Sequence, residues 1–262
     1  MHPFIYSDFN SAINQIASHL YFNGYPVKTG TWQAKENPPE FHEVLNTSFS
    51  VYIPPKRDQW VKQIKPNIPW ADDHFNERVG GEPLNPGEQY KNWPWYKNNP
   101  SNDIHRTAKG RFSHTYMERI WCKQAGEGLA VPEDWMFGIR YNYGDFMDLV
   151  RLMAKDPYTR QAFLPIWFPE DTGAVSDQRV PCTLGYHFIL REERMHVVYY
   201  IRSCDFFRHF RDDIYLCLRK VEWLLEQLRV LDGFWKDIQY GTFTMHITSL
   251  HIFAKERNLL IL

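Results

Sequence analysis

The chain has 262 residues, 44% of them apolar and 16% aromatic, which is ample for a buried core. Thirty Lys and Arg stand against 31 Asp and Glu, so no net field recruits nucleic acid or a membrane surface, and neither partner is expected. Four cysteines, Cys122, Cys182, Cys204 and Cys217, form no C-x-x-C pair and fall into no metal-ligand spacing, so no metal is expected.

The absence of a signal-like leader, and of any apolar run near about 18 residues, predicts a soluble cytoplasmic protein with reduced thiols. No internal repeat or low-complexity tract interrupts the chain, and one domain over 1–262 is expected. Residues 8–24 read as a helix, with Ile13, Ile16, Leu20 and Tyr21 along one side. Alternation from Asn46 to Ile53 predicts a strand. From Pro54 to Pro100 the composition turns to Pro, Asn, Trp and charge, which predicts loops around a short helix. Pro69 suits the first turn of that helix and Gly80-Gly81 its stop.

A second helix is predicted from Asp145 to Lys155, with Phe146, Leu149, Val150 and Met153 on one face. Gly185–Leu190 and His196–Ile201 follow as two strands, joined through Glu192-Glu193-Arg194 into an antiparallel hairpin. Ile214, Leu218, Val221, Leu225 and Leu228 mark a long buried helix. Met245 to Phe253 closes the chain as a strand that places Ser249, His251 and Phe253 on one face. Strands and helices interleave without a regular β-α-β rhythm, so the fold class expected is α+β, one large mixed sheet packed against helices.

The chemistry concentrates between Arg179 and Tyr215. Cys182 directly follows Pro181, and an Arg-Ser-x-Asp cluster, Arg202-Ser203-x-Asp205, comes twenty residues later. A free cysteine is often no more than a small buried hydrophobe. A thiol acts as a nucleophile only as thiolate, however, and a neighbouring guanidinium favours that form. This Pro-Cys pair and its spacing to Arg-Ser-x-Asp resemble the thymidylate synthase superfamily.

The resemblance implies a thymidylate synthase-like catalytic domain, with Cys182 adding to C6 of a pyrimidine and a sheet face forming a homodimer interface. Arg202 and Ser203 would bind the substrate phosphate, a planar fork and a hydroxyl suiting a dianion. D-P-Y-T-R-Q (156–161) resembles the family's D-P-x-S-R-R segment, so Arg160 would reach the partner subunit's phosphate, with Gln161 in place of a second arginine. K-T-G-T (28–31) resembles its R-T-G-T loop, with Lys28 where arginine is usual. His251 matches the family's His-x-Tyr contact to the sugar, although Phe253 replaces the tyrosine. Tyr116 matches a tyrosine that positions water, followed here by Met117 instead of glycine. The family's proton-relay glutamate falls within W-A-D-D-H-F-N-E-R-V (70–79), where Asp72, Asp73 and Glu77 are all open.

Asp213 is the departure with consequences for substrate. It lies eleven residues after Arg202, where thymidylate synthases carry an asparagine that reads uracil. A carboxylate only accepts, which suits the amino group of cytosine. As a simple helix cap the same residue would need no base, and Asp212 is expected to fill that role. The resemblance therefore implies a deoxycytidylate 5-hydroxymethylase using 5,10-methylenetetrahydrofolate, with water instead of hydride completing the product. A CMP enzyme, a dUMP hydroxymethylase or synthase, and an inactive nucleotide- or RNA-binding paralogue are the alternatives. The chain ends nine residues after Phe253, so the region 54–100, with Trp93 and Trp95, is expected to supply folate contacts.

Overall fold

The computed structural model describes residues 5–28, 39–94, 111–123, 144–172 and 180–261. Among these, seven strands form one mixed sheet: β1 (Ile5–Tyr6), β2 (Tyr25–Lys28), β3 (Glu40–Tyr52), β4 (Phe163–Pro165), β5 (Thr183–Arg191), β6 (Arg194–Asp205) and β7 (Gln239–Phe253). The order across the sheet is β1-β3-β7-β6-β5-β4, with β2 pairing the other end of β3. β6 and β7 are parallel, as are β1 and β3, and the remaining pairs are antiparallel. The helices are α1 (Phe9–Asn23), α2 (Arg57–Ile64), α3 (Trp70–Val79), α4 (Gln89–Asn92), α5 (Tyr116–Ile120), α6 (Phe146–Lys155) and α7 (Phe210–Leu231). This is the α+β arrangement that the interleaved pattern predicts.

Local chemistry accounts for the main elements. Asp8 caps α1 by accepting from the Ser11 backbone N–H at 2.8 Å, and Phe9, Ala12, Ile13, Ile16 and Leu20 turn into the core. The β5–β6 hairpin closes on Glu192 and Glu193, both at positive φ (49° and 55°), the backbone twist that a tight two-residue turn requires. α7 buries Ile214, Leu218, Val221, Leu224, Leu225 and Leu228 against the sheet and α6. Phe146 of α6 is sandwiched there, stacked on Trp223 at 4.5 Å and on Phe188 at 6.0 Å.

The stretch 54–100 differs from the single short helix predicted. Within its described residues it carries α2, α3 and α4, because Trp60 and Ile64 fall one helical turn apart and both bury completely. Pro69 and Gly80 do flank α3, as its N- and C-caps. No described helix is long and apolar enough to cross a membrane.

One irregularity positions the site. The β3–β7 ladder skips the pair Asn46 and Thr248, and the β6–β7 ladder skips Arg202 and Thr248. Asn46 adopts φ 56°. In β7 the buried side chains are odd-numbered from Gly241 to Ile247, then even-numbered at Leu250 and Ile252. β6 changes the same way, from Met195, Val197, Tyr199 and Ile201 to Cys204. A row of broken pairing thus crosses three strands, and beyond it β6 and β7 present the opposite set of side chains.

Candidate active site

Cys182 lies just before β5, at the end of the sheet where that row falls. Arg202 holds it there: the backbone N–H of Arg202 donates to the Cys182 carbonyl at 2.9 Å. Its side chain donates to the carbonyls of Pro181 (Nε, 2.8 Å) and Val180 (Nη2, 3.2 Å). Nη2 also stands 4.0 Å from the Cys182 Sγ, and Trp167 lies under the guanidinium at 5.5 Å. Arg202 therefore braces the chain segment that carries the thiol and sets a positive charge beside it.

The thiol opens into a cavity of about 820 Å³, counting the solvent at its mouth. The sheet and α7 form one wall through Cys182, Ser203, His209 and Asp213. Helices α3 and α4 and the start of α5 form the other, through Trp70, His74, Arg78, Tyr90, Trp93 and His114–Met117.

Asp213 sits in the first turn of α7. Burial, opposed by the nearby Arg78 cation and reinforced by Asp212, raises its carboxyl to about 7. The Cys204 thiol donates toward it at 3.8 Å. Asp212 departs from its expected capping role. It is buried and accepts from the backbone and side-chain N–H groups of Asn67 at 2.8 and 2.7 Å, tying the approach to α3 onto α7. His209 takes the N-cap position without a side-chain cap bond.

Tyr116 begins α5, whose capping box of Thr115 and Glu118 fixes its entry. Its hydroxyl meets Thr183 Oγ1 at 3.1 Å, and Thr183 Oγ1 meets the Tyr199 hydroxyl at 2.9 Å, a short hydroxyl chain leading into the sheet. Burial, with the Cys182 and Asp213 charges added, pushes the Tyr116 phenol up to about 12, so it stays protonated at neutral pH.

The opposite wall is aromatic. Trp70 stacks on His74 at 4.9 Å and meets Trp93 at 6.5 Å; Trp93 stacks on His209 at 4.8 Å. The Trp70 indole N–H donates to the Gln89 carbonyl at 2.8 Å, which locks α3 to α4. The face that α3 presents to the cavity is Trp70, His74 and Arg78, spaced four residues apart.

The acidic residues of α3 lie elsewhere. Asp72 forms an ion pair with Arg219 and accepts from the Tyr215 hydroxyl at 2.8 Å. Glu77 accepts from the Gln89 backbone at 3.0 Å, and its other oxygen lies 3.7 Å from His74 Nδ1. Neither lines the cavity. His251 also stands off it, on β7 between Asp205 of β6 and Glu43 of β3, edge-on to Phe41 at 5.3 Å. Burial holds its imidazole below the ordinary histidine value, against the pull of both carboxylates.

Lys28 ends β2, exposed, and Thr29, Gly30 and Thr31 lie outside the described residues, as does Trp95. Arg160 is exposed, and its carbonyl accepts from His187 Nε2 at 3.0 Å. The structure thus gathers Cys182, Ser203, Asp213 and Tyr116 on one cavity and leaves Arg202 immediately behind it. It adds Trp70, His74, Arg78, Tyr90 and His209, which the sequence reading did not select. The four-residue repeat Trp70–His74–Arg78 was visible as one helical face.

No family model matches this sequence, and no curated protein matches it. The fold is nevertheless clear from solved structures. The thermostable thymidylate synthase A from Bacillus subtilis superposes with a TM-score of 0.62, over 97% of this chain and 83% of that chain. The two are 14% identical in sequence. The protein therefore has a thymidylate synthase-like fold, a mixed sheet packed against helices.

Proposed function

We propose that this protein is a folate-dependent one-carbon transferase acting at C5 of a pyrimidine nucleotide, and specifically a deoxycytidylate 5-hydroxymethylase. The observation that carries the reading is Cys182, with its Sγ 4.0 Å from the Arg202 guanidinium, opening into the same cavity as Asp213 and Tyr116. The fold shared with a thymidylate synthase supports it.

On this reading the Cys182 thiolate adds to C6 of the base, forming the C–S bond and moving the ring electron pair to C5. Later elimination breaks that bond and returns the thiolate. Ser203 binds phosphate from the cavity wall. Arg202 keeps the nucleophile in place and presents Nη1, which bonds to none of the described residues, as a further phosphate contact. Arg160, on the exposed loop before β4, reaches the phosphate of a second copy across a homodimer. Lys28 and His251 complete the nucleotide contacts once the ligand is bound. Tyr116, kept protonated, orders water through its hydroxyl, whereas Asp72 and Glu77, both off the cavity, do not reach the reacting base from where they stand.

The cavity suits 5,10-methylenetetrahydrofolate, because Trp70, Tyr90, Trp93 and His209 line it and give it an aromatic wall against which a pteridine can pack. Those four residues would hold it, and it would supply the one-carbon unit. Asp213 selects the base, its ionised carboxylate accepting from the amino group of cytosine. A uracil nucleotide is the second reading, favoured by the same residue: raised to about 7, Asp213 is partly protonated at neutral pH and can then donate to a carbonyl.

The test is incubation with methylenetetrahydrofolate and each of dCMP, CMP and dUMP, followed by mass analysis. The expected result is dCMP carrying an added CH2O. Gain of CH2 on dUMP identifies a synthase instead, and no product from any nucleotide removes the reading.

A further inference from the structure

Arg78 has no role in the reaction just described, yet it is the guanidinium that lines the cavity. It is 6% exposed. Its Nε donates to His74 Nε2 at 3.0 Å, which leaves the His74 proton on Nδ1, 3.7 Å from Glu77 Oε1. Glu77 is anchored in turn by the Gln89 backbone, and Trp70 stacks over the imidazole. The face of the guanidinium lies on the Tyr116 ring, 4.3 Å from its centre.

With Nε bound and one face covered, the two terminal NH2 groups remain. Neither meets an acceptor among the described residues, and the residue lines the cavity. Donors left over on a cation fixed at the wall of a cavity are placed to meet the acceptors of a ligand that enters it. Asp213 faces the same cavity, and of all charged groups Arg78 acts on it most strongly. No ion pair joins the two among the described residues. A guanidinium and a carboxylate held apart at one cavity make a donor–acceptor pair for a ligand that has both an acceptor and a donor on one edge.

We propose that Arg78 is a base-binding residue, its terminal N–H groups donating to acceptor atoms on the Watson–Crick edge of the pyrimidine while Asp213 takes the donor on that edge. The proposal rests on the pyrimidine-nucleotide reading and adds to it a residue that α3 offers in place of a carboxylate. His74 and Glu77 are positioning residues, aiming the guanidinium without touching the base. Selectivity then comes from two oppositely charged groups fixed on different elements, α3 and α7.

Two variants test this, with calorimetric titration of dCMP and of deoxyribose 5-phosphate, which has the phosphate arm and no base. Arg78→Gln removes the charge and most of the donors. His74→Phe keeps the stack on Trp70 but removes the acceptor that aims Arg78, and it stands in if the first variant folds poorly. For Arg78→Gln, dCMP affinity is expected to fall by about ten- to hundredfold, the usual cost of losing a charge-assisted bond to a base edge, with sugar-phosphate affinity unchanged. His74→Phe is expected to show the same selective loss, smaller in size.

Equal losses for both ligands overturn the proposal in favour of a structural role. Unchanged dCMP binding overturns it as well. Wild-type protein that binds the sugar phosphate but gains nothing from the base overturns this proposal and leaves the phosphate site standing. Wild-type protein that binds neither ligand overturns the functional reading along with it.

Discussion

Replacing Asp213 by Asn removes a single titrating group from the cavity wall, and its effect on stability should depend on pH in a defined direction. Burial is the main cause that raises this carboxyl from 3.8 to about 7 in the folded protein. In the unfolded chain it returns to its ordinary value. Between those two values the folded protein holds a proton that the unfolded chain has released, so stability falls as pH rises. The contribution is intact below about pH 4 and lost by the time pH passes about 7. At about 1.4 kcal/mol per pH unit the ceiling on the loss is about 4 kcal/mol. Asp213 stands at a cavity open to water, which screens its charge, so about 1–3 kcal/mol is expected. Urea unfolding of both proteins at about pH 4 and about pH 8 measures it. The Asp213→Asn protein should gain stability relative to wild type as pH rises, by that amount. Histidines titrate in both proteins and cancel in the difference. A difference that stays flat across the range, or that favours the variant toward acid, refutes the reasoning.

Cys182→Ser should abolish turnover and exchange of the C5 hydrogen of substrate while nucleotide binding persists, which equilibrium titration checks; exchange at the wild-type rate removes Cys182 from the mechanism. Cys204→Ser should leave catalysis nearly unchanged, since that thiol is buried behind Asp213. Mixing Arg160→Ala subunits with Cys182→Ser subunits should restore activity in mixed dimers if Arg160 crosses to the partner, and no recovery shows that it does not. Asp171→Ala should cost about 3–5 kcal/mol in urea unfolding, because Asp171 is the buried partner of buried Arg119 at 2.9 Å.

The elements that could be read in advance are those whose apolar spacing is undisturbed by function. Ile214, Leu218, Val221, Leu225 and Leu228 repeat at the helical period, and the hairpin strands alternate cleanly on either side of Glu192-Glu193. The Pro- and Trp-rich stretch showed α3 through Pro69 and Gly80 but hid α2 and α4, because part of its apolar surface serves the cavity and a neighbouring helix instead of the main core. Trp70 and Trp93, for example, stack on histidines at the cavity. Cys182, Ser203 and Asp213 were legible through local motif spacing. Arg78 was not, since a search of α3 for a carboxylate passes over the face that the helix turns inward. Nor could spacing show that Arg202 spends two donors on the carbonyls of Pro181 and Val180, a bond set by how the sheet folds back on itself.

The row of skipped pairing through Asn46, Thr248 and Arg202 constrains how this chain can drift in length. Beyond it, β6 and β7 show the core the side chains that simple alternation would have turned away. A residue lost in β6 between the hairpin turn and Arg202 would therefore bring Cys204 into the cavity place of Ser203, and a residue gained would send Ser203 into the buried place of Cys204. Matching changes in β3 and β7 would be needed to realign the ladders. Relatives of this protein should vary in the length of the loops outside these strands, while the number of residues between Cys182 and Ser203 stays constant.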